Sequence, residues 1–205
     1  MSTVEFNKDL IEEIKNLISA NNSNKLKVKL KDIHYADIAE LIDNLNIEEA
    51  TYLIKLLESD TTADALAEID DEKREKILKK LSAKEIAEEL TELDTDDAVD
   101  IISELPEERK ERVISEIADD KHIEGIRELL TYDENTAGGL MAKELVKVNE
   151  DLSVLKCLNE MRSQAENVSR VHSIYVVDSK NRLKGRLSLK DLITADSKAK
   201  VKDIF

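Results

Sequence analysis

The densest run of groups able to do chemistry in this chain is a set of carboxylates, Asp94-Thr-Asp-Asp-Ala-Val-Asp100. On a helix, Asp96 and Asp100 are four residues apart and project from one face. Two like charges about 6 Å apart, at an effective dielectric of about 20, repel by roughly 3 kcal/mol before salt screening. A divalent cation removes that repulsion. The surroundings amplify it, since residues 91–120 hold 12 acidic against 3 basic side chains. Such a surface repels nucleic-acid phosphates and attracts cations or a basic partner. The plainer reading is structural. Acids in a first helical turn stabilise the helix N-terminus without any ion, and Asp94 is placed to cap it.

Other reactive constellations are absent. His34, His122 and His172 are scattered and have no partner at ligand spacing. No Ser-His-Asp or Cys-His arrangement, P-loop or dinucleotide fingerprint occurs. The one cysteine, Cys157, excludes an internal disulfide, fits a reducing compartment and lies among Leu155 and Leu158 as a packing residue. The sequence reads as a non-enzymatic protein.

A repeat positions the acids. Apolar residues recur every twelve positions at Leu45, Leu57, Ile69, Leu81, Leu93, Leu105 and Ile117. A second register reads Ile42, Ile54, Leu66, Leu78, Leu90, Ile102 and Ile114. A third reads Leu41, Leu53, Ala65, Ile77, Glu89, Ile101 and Val113, broken only at Glu89. So short a period leaves room for one helix of about ten residues and a tight turn, and no copy buries its stripe alone, so neighbours must stack. Asn46, Asp70, Ser82 and Asp94 are natural caps at the turns, Ser82 with Glu85 forms a capping box, and Pro106 takes the next turn. Before the repeat, residues 4–18 carry helical apolar spacing from Phe6 to Ile18. Lys25–Lys31 alternates lysine with Leu26, Val28 and Leu30, a strand-like period or simply the start of the first repeat. A further helix is expected over about 119–130.

Character changes at Tyr132. Residues 1–131 hold 18 basic against 35 acidic side chains, a net −17, whereas residues 132–205 hold 13 against 11, a net +2. Tyr132-Asp-Glu-Asn-Thr-Ala-Gly-Gly-Leu-Met141 is followed by a strand at 145–148 and an amphipathic helix with Leu152, Leu155, Leu158 and Met161. A strand at 173–177, a turn, a strand at 183–187 and a helix from Leu189 complete a β-α-β-β-α order. Ser188 caps that last helix with Asp191 in its first turn. The fold class expected is an α-helical superhelix of short stacked helices over 1–131, followed by a small α/β domain over 132–205. The longest unbroken apolar run is Ile174–Val177, far short of a membrane span. No secretory signal opens the chain, so it is expected to be soluble and cytoplasmic.

The second part resembles a cystathionine-β-synthase (CBS) motif, carried by Ile174-Tyr-Val-Val-Asp178, Arg182-Leu-Lys-Gly185 and Leu187-Ser-Leu-Lys-Asp-Leu-Ile193. Val201-Lys-Asp-Ile-Phe205 is similar to the opening of a second motif. With Tyr132-Asp-Glu-Asn-Thr-Ala-Gly-Gly-Leu-Met141 directly after an acidic helical repeat, nearly the whole chain resembles the cytosolic region of MgtE-type magnesium channels. That resemblance implies a regulatory domain sensing Mg2+, also the transported ion, on the cytoplasmic side of the cell membrane. Mg2+ bridges carboxylates of the helical domain and the CBS pair, the domains dock, and a transmembrane pore absent from this chain closes. It also implies homodimerisation through the CBS domain. Carried over residue by residue, the ion ligands fall on Asp96 and Asp100 and, where the family has an acid, Asp64.

Mg2+ prefers octahedral oxygen ligation and keeps its waters, which suits one or two carboxylates per domain. The glycines at 138 and 139 are expected to permit hinging, so that Mg2+ compacts the chain and protects residues 131–142. Two other readings stand beside this one. CBS motifs also hold adenine nucleotides such as ATP, which points to Asp191 on a ribose and to Lys190; Ser173, next to His172, replaces the aromatic residue that stacks on the base, and helix capping accounts equally for Ser188 and Asp191. The helical part also looks like a relative of flagellar rotor switch proteins, a protein-interaction scaffold.

Overall fold

Turn chemistry every twelve residues cuts the first part of the chain into short helices. The computed structural model describes residues 8–166, 168, 171 and 173–205. The chain divides into two units, Met1–Leu140 and Met141–Phe205. In the first unit, the described residues form α1 (Lys8–Ser19), α2 (Ser23–Leu30), α3 (Tyr35–Asp43), α4 (Ile47–Leu56), α5 (Ser59–Glu68), α6 (Asp71–Leu78), α7 (Ala83–Thr91), α8 (Thr95–Ser103), α9 (Glu107–Glu116) and α10 (Asp120–Leu129). Two starts are capping boxes. Asn46 N–H donates to Glu49 Oε2 while Glu49 N–H donates to Asn46 Oδ1, both at 2.9 Å. Ser82 and Glu85 repeat the exchange at 2.7 and 3.2 Å. Asp70 accepts from Glu72 N–H at 3.1 Å. Asp94 and Pro106 occupy the same position without a side-chain cap bond.

All members of the second and third apolar registers are buried, Glu89 included. Most of the stacked helices pack on the next but one: α3 on α5, α5 on α7, α7 on α9, α4 on α6 and α8 on α10. Polar ties run at the same stride. Lys73 donates to the carbonyls of Asp43 and Leu45 at 2.8 and 2.7 Å, Arg109 to those of Leu78 and Leu81 at 3.1 and 2.7 Å, and Lys55 pairs with Glu85 at 2.8 Å. The lysine and arginine bonds to carbonyls fall at helix C-terminal turns, where backbone acceptors lack intrahelical partners. The stacked-helix architecture is therefore held by two cooperating periods, apolar within the stack and cationic at its turns.

One local expectation is corrected. Lys25–Lys31 is not a strand: α2 covers most of it, burying Leu26 and Leu30 four residues apart and leaving Val28 80 % exposed. The first helix begins, among the described residues, at Lys8, and Phe6 lies outside them. The glycines after Tyr132, expected to permit hinging, are closely packed. A Cβ on Gly138 would sit 2.5 Å from the Tyr132 ring, and one on Gly139 would sit 2.3 Å from the Asp133 carbonyl oxygen. Neither has positive φ. They allow close approach. Thr136 Oγ1 and N–H both donate to the Asp133 carbonyl, at 2.7 and 3.0 Å, and Leu140 N–H donates to Thr136 O at 3.1 Å. Tyr132–Leu140 thus folds with the helical unit, beyond the composition break.

The second unit is a three-stranded sheet with helices. β1 (Val146–Asn149) pairs parallel with β2 (Ile174–Val177), and β2 pairs antiparallel with β3 (Leu183–Leu187). The β1–β2 crossover is α11 (Val154–Ala165), as parallel pairing requires. Val146, Val148, Val154, Cys157, Ile174, Val176, Leu187, Leu192 and Val201 form one core. Helix α11 buries Val154 and Cys157, whereas Leu155, expected inside, is 57 % exposed. Helix α12 (Leu189–Thr194) follows β3. The last residues return to α11: Val154 N–H donates to Ala199 O and Val201 N–H to Leu152 O, each at 2.9 Å. The Phe205 ring covers Gly185, where a Cβ would meet it at 2.5 Å. No helix among the described residues is long and apolar enough to cross a membrane.

Candidate metal site

Helix α8 buries Thr95, Ala98, Val99, Ile101 and Ile102. That stripe turns Asp96, Asp97 and Asp100 toward the other side, as the four-residue spacing of Asp96 and Asp100 requires. Asp100 is exposed and Asp96 half-buried. The Oδ1 atom of Asp96 is shielded from solvent and has no hydrogen-bond partner among the described residues. A buried acceptor left in that state costs about 1–3 kcal/mol, more when charged.

The carboxylates disturb one another. Partial loss of hydration, then the charges of Asp96, Asp94, Asp100 and Asp64, push Asp97 up to about 6. Asp100 is also raised, by desolvation and then by Asp96, with Arg74 pulling it back and Glu104 and Glu134 adding to the rise. Asp64 is exposed on α5, and its field reaches Asp97 on α8, so the structure brings all three expected ligand positions into one electrostatic neighbourhood. Asp97 itself is not among the expected ligands; its one sequence signal is a position between two acids, one and three residues away. Among the described residues, no group of three or more His, Cys, Asp or Glu converges tightly enough to hold a metal ion alone. The donor set fits an ion that keeps waters or takes further ligands from another surface.

Asp100 also lines a polar cavity of 400 Å³ within the helical unit, beside Arg74, Ser103, Glu104, Tyr132 and Glu134. Arg74 anchors this cavity and is 7 % exposed. Its Nε donates to Glu104 at 3.1 Å, its Nη1 to the carbonyls of Leu66, Ala67 and Ile69 at 3.2, 3.2 and 3.0 Å, and its Nη2 to Asp71 at 2.7 Å and to Glu104. Every face of the guanidinium is engaged. Arg74 therefore fixes where the neighbouring acids stand.

The alternative nucleotide residues lie elsewhere. Lys190 and Asp191 are exposed in the first turn of α12. Asp191 is occupied by capping: its N–H donates to Ser188 Oγ at 3.0 Å, and Ser188 Oγ donates to Asp191 Oδ2 at 2.6 Å. Ser173 is half-buried, and His172 lies outside the described residues. His34 caps α3, its Nδ1 accepting from Ala36 N–H at 3.2 Å, and His122 Nε2 lies 2.9 Å from Leu90 O, so neither is poised as a ligand. Burial pushes the Cys157 thiol up to about 11, as befits a packing residue.

Comparison with known proteins covers both units. Residues 33–135 match the family described as the MgtE intracellular N domain, and residues 137–198 match the CBS domain family. Over 77 residues the chain is 47 % identical to the magnesium transporter MgtE of Thermus thermophilus and 35 % identical to that of Enterococcus faecalis. Each match covers 38 % of this chain and 17 % of the relative's length. The fold matches a crystal structure of the cytosolic domain of the Mg2+ channel MgtE in complex with ATP, with a TM-score of 0.86 and 32 % identity over 95 % of this chain and 79 % of that one. It also matches the soluble part of a magnesium transporter, with a TM-score of 0.81 and 26 % identity over 95 % of this chain and 76 % of that one.

Proposed function

Because the chain belongs to the MgtE family, matching its intracellular N domain and then a CBS domain, we propose that it is the Mg2+-sensing, gating part of a magnesium channel. In this reading Asp96 and Asp100, with Asp64, contribute carboxylates to Mg2+ shared with a second surface on the CBS side. The shared ion docks the helical unit and closes a pore carried by the rest of the protein. The CBS domain also joins two copies. The observation that supports it most is the orphaned Oδ1 of Asp96 amid carboxylates that hold Asp97 and Asp100 above the usual range. Those groups gain from a cation what they lack from a counter-ion.

Linkage gives the switch its form. An ion that binds the docked state better shifts the population by no more than its differential affinity. Moving from 1:99 to 99:1 takes roughly 5.5 kcal/mol, which argues for several ions rather than one. Calorimetry with MgCl2 on the wild type and on Asp96→Asn/Asp100→Asn tests the reading. Heat of binding in the wild type that disappears in the double variant supports it; equal heats in both, or scattering profiles identical in Mg2+ and in chelator, overturn it.

A second reading has its own support, since one matching structure was solved in complex with ATP. Adenine-nucleotide binding at Lys190 and Asp191 would compete with the cap that Ser188 and Asp191 already form. ATP titration of Asp191→Ala separates the two roles: unchanged affinity leaves capping as the residue's work. If neither Mg2+ nor ATP binds, the helical unit is better read as an interaction scaffold.

A further inference from the structure

The third apolar register places a glutamate, Glu89, where its equivalents are Leu41, Leu53, Ala65, Ile77, Ile101 and Val113. The side chain stays inside nonetheless, on α7, which packs against α5, and is only 7 % exposed. Glu89 Oε2 accepts from Thr62 Oγ1 at 2.5 Å, and Oε1 accepts from Ser59 Oγ at 3.5 Å. Thr62 is itself fully buried.

No cation neutralises this carboxylate among the described residues. Along the chain its charged neighbours are Glu88 on α7 and Glu92 just past its end, of the same sign. The charged groups of α5 are all acids: Asp60, which accepts from Thr61 N–H at 2.7 Å, Asp64 and Glu68. On α9, Arg109 is spent on the Leu78 and Leu81 carbonyls, Lys110 pairs with Glu107 at 2.6 Å, and Arg112 is exposed beside Glu108, Glu111 and Glu116. From α10, His122 Nε2 lies against the Leu90 carbonyl. A charge buried without a partner is costly, so the neutral acid is favoured. Burial pushes Glu89 up to about 7, the two hydroxyls pull it back, and Glu88 and Glu92 raise it further.

The surroundings satisfy both protonation states. When Glu89 is ionised, the Thr62 hydroxyl donates to Oε2. When it is protonated, the new O–H donates to Thr62 Oγ1, and the Thr62 hydrogen turns to the Glu58 carbonyl oxygen, 3.2 Å away. Only an O–H bond to a proton from water is made or broken, and no buried polar group is stranded in either state. We propose that Glu89, with Thr62 and Ser59, is a buried proton-binding site in the α5–α7 seam, tightening that seam when loaded and loosening it when empty. Its bearing on cation sensing rests on the reading above, because α5 also carries Asp64; the proton site itself does not need that reading.

The test uses the whole chain in chelator. Carboxyl-13C NMR of glutamate-labelled protein, followed against pH, should show one glutamate with a midpoint of about 7, missing from Glu89→Gln. Thermal unfolding should place Glu89→Gln level with the wild type at about pH 5 and above it at about pH 8.5, since the amide never ionises. A Glu89 resonance titrating with the surface glutamates, or a stability gap constant with pH, overturns the proposal. Should Glu89→Gln fail to fold, the wild-type resonance is assigned through the Glu89 backbone and its midpoint decides. Mg2+ titrations of the same variants at both pH values then test the link to Asp64 separately.

Discussion

Carboxylates in the helical unit and in the α/β unit have opposite electrostatic surroundings. In the α/β unit the shifted acids have cations. Hydrogen bonds from the Arg182 backbone and side chain hold Asp178 down to about 2, and Lys202 keeps Asp151 below its ordinary value. In the helical unit Asp97, Asp100 and Glu89 are all raised, first by lost hydration and then by their acidic neighbours. Glu85 shows that the difference is one of partners rather than fold: with Lys55 at 2.8 Å and the Ser82 N–H beside it, it falls to about 2. A unit with 18 basic against 37 acidic side chains over residues 1–140 has too few cations to go round. Added cations therefore have something to relieve in one half of the molecule and little in the other.

The strongest way to break the contrast is to remove the one buried cation among the described helical acids. Arg74→Ala strips Glu104 and Asp71 of their partner and leaves the carbonyls of Leu66, Ala67 and Ile69 unsatisfied. Losing one side of a buried ion network costs about 3–5 kcal/mol. Urea unfolding should show that loss in the helical unit, and Asp100 should rise further without the Arg74 pull. A change below about 1 kcal/mol would mean that the network is ornamental.

Next in size is the pH dependence carried by Glu89. Its folded value, about 7, lies above the ordinary 4.5. The folded state therefore binds the proton more tightly, and the stability it gives is complete below about pH 4.5 and lost as pH rises through about 7. Each tenfold gain in proton affinity on folding is worth about 1.4 kcal/mol, so wild type should lose about 2–3 kcal/mol relative to Glu89→Gln between about pH 5 and pH 9. Unfolding midpoints in chelator give the comparison directly, and parallel pH profiles would remove Glu89 from it.

Mg2+ itself should act more gently. At ten times its dissociation constant a ligand stabilises by about 1.4 kcal/mol per site. That gain should appear in hydrogen exchange of α5 and α8 and vanish in Asp96→Asn/Asp100→Asn. It should also fade below about pH 6, where Asp97 takes up its proton. Protection of α5 and α8 that persists in Asp96→Asn/Asp100→Asn would dissolve the contrast, because the ion would then not be answering to the crowded acids of the helical unit.

How much of this is legible in the sequence follows from period. The twelve-residue registers place α3 to α9 and their buried faces, because a repeat states the same packing rule many times. Lys25–Lys31 misleads because its lysines alternate like a strand, while the deciding pair, Leu26 and Leu30, has helical spacing. The role of Gly138 needs the Tyr132 ring, and that contact is invisible until the chain folds back. For the site, the shared face of Asp96 and Asp100 is plain in their spacing. The reach of Asp64 to Asp97 depends on how α5 and α8 stack. Glu89 shows only as a broken register; its partners Ser59 and Thr62 are set by the helix-to-helix stride, 30 and 27 residues away.

The smallest effect belongs to the α/β unit, where a single cap stands in for what charge does in the helical one. Ser188 Oγ accepts from the Asp191 N–H at 3.0 Å and donates to the Asp191 carboxylate at 2.6 Å, closing the start of α12. Helix α12 is only six residues long and contributes one fully buried side chain, Leu192, so the cap is a large part of what holds it. Ser188→Ala should cost about 1 kcal/mol, read as a lower unfolding midpoint that is the same in Mg2+ and in chelator. The same substitution frees the Asp191 carboxylate. If capping is all that Asp191 does, ATP affinity stays where it was while stability falls. If the carboxylate also holds a ribose, releasing it from Ser188 raises ATP affinity as stability drops, and the two readouts part company.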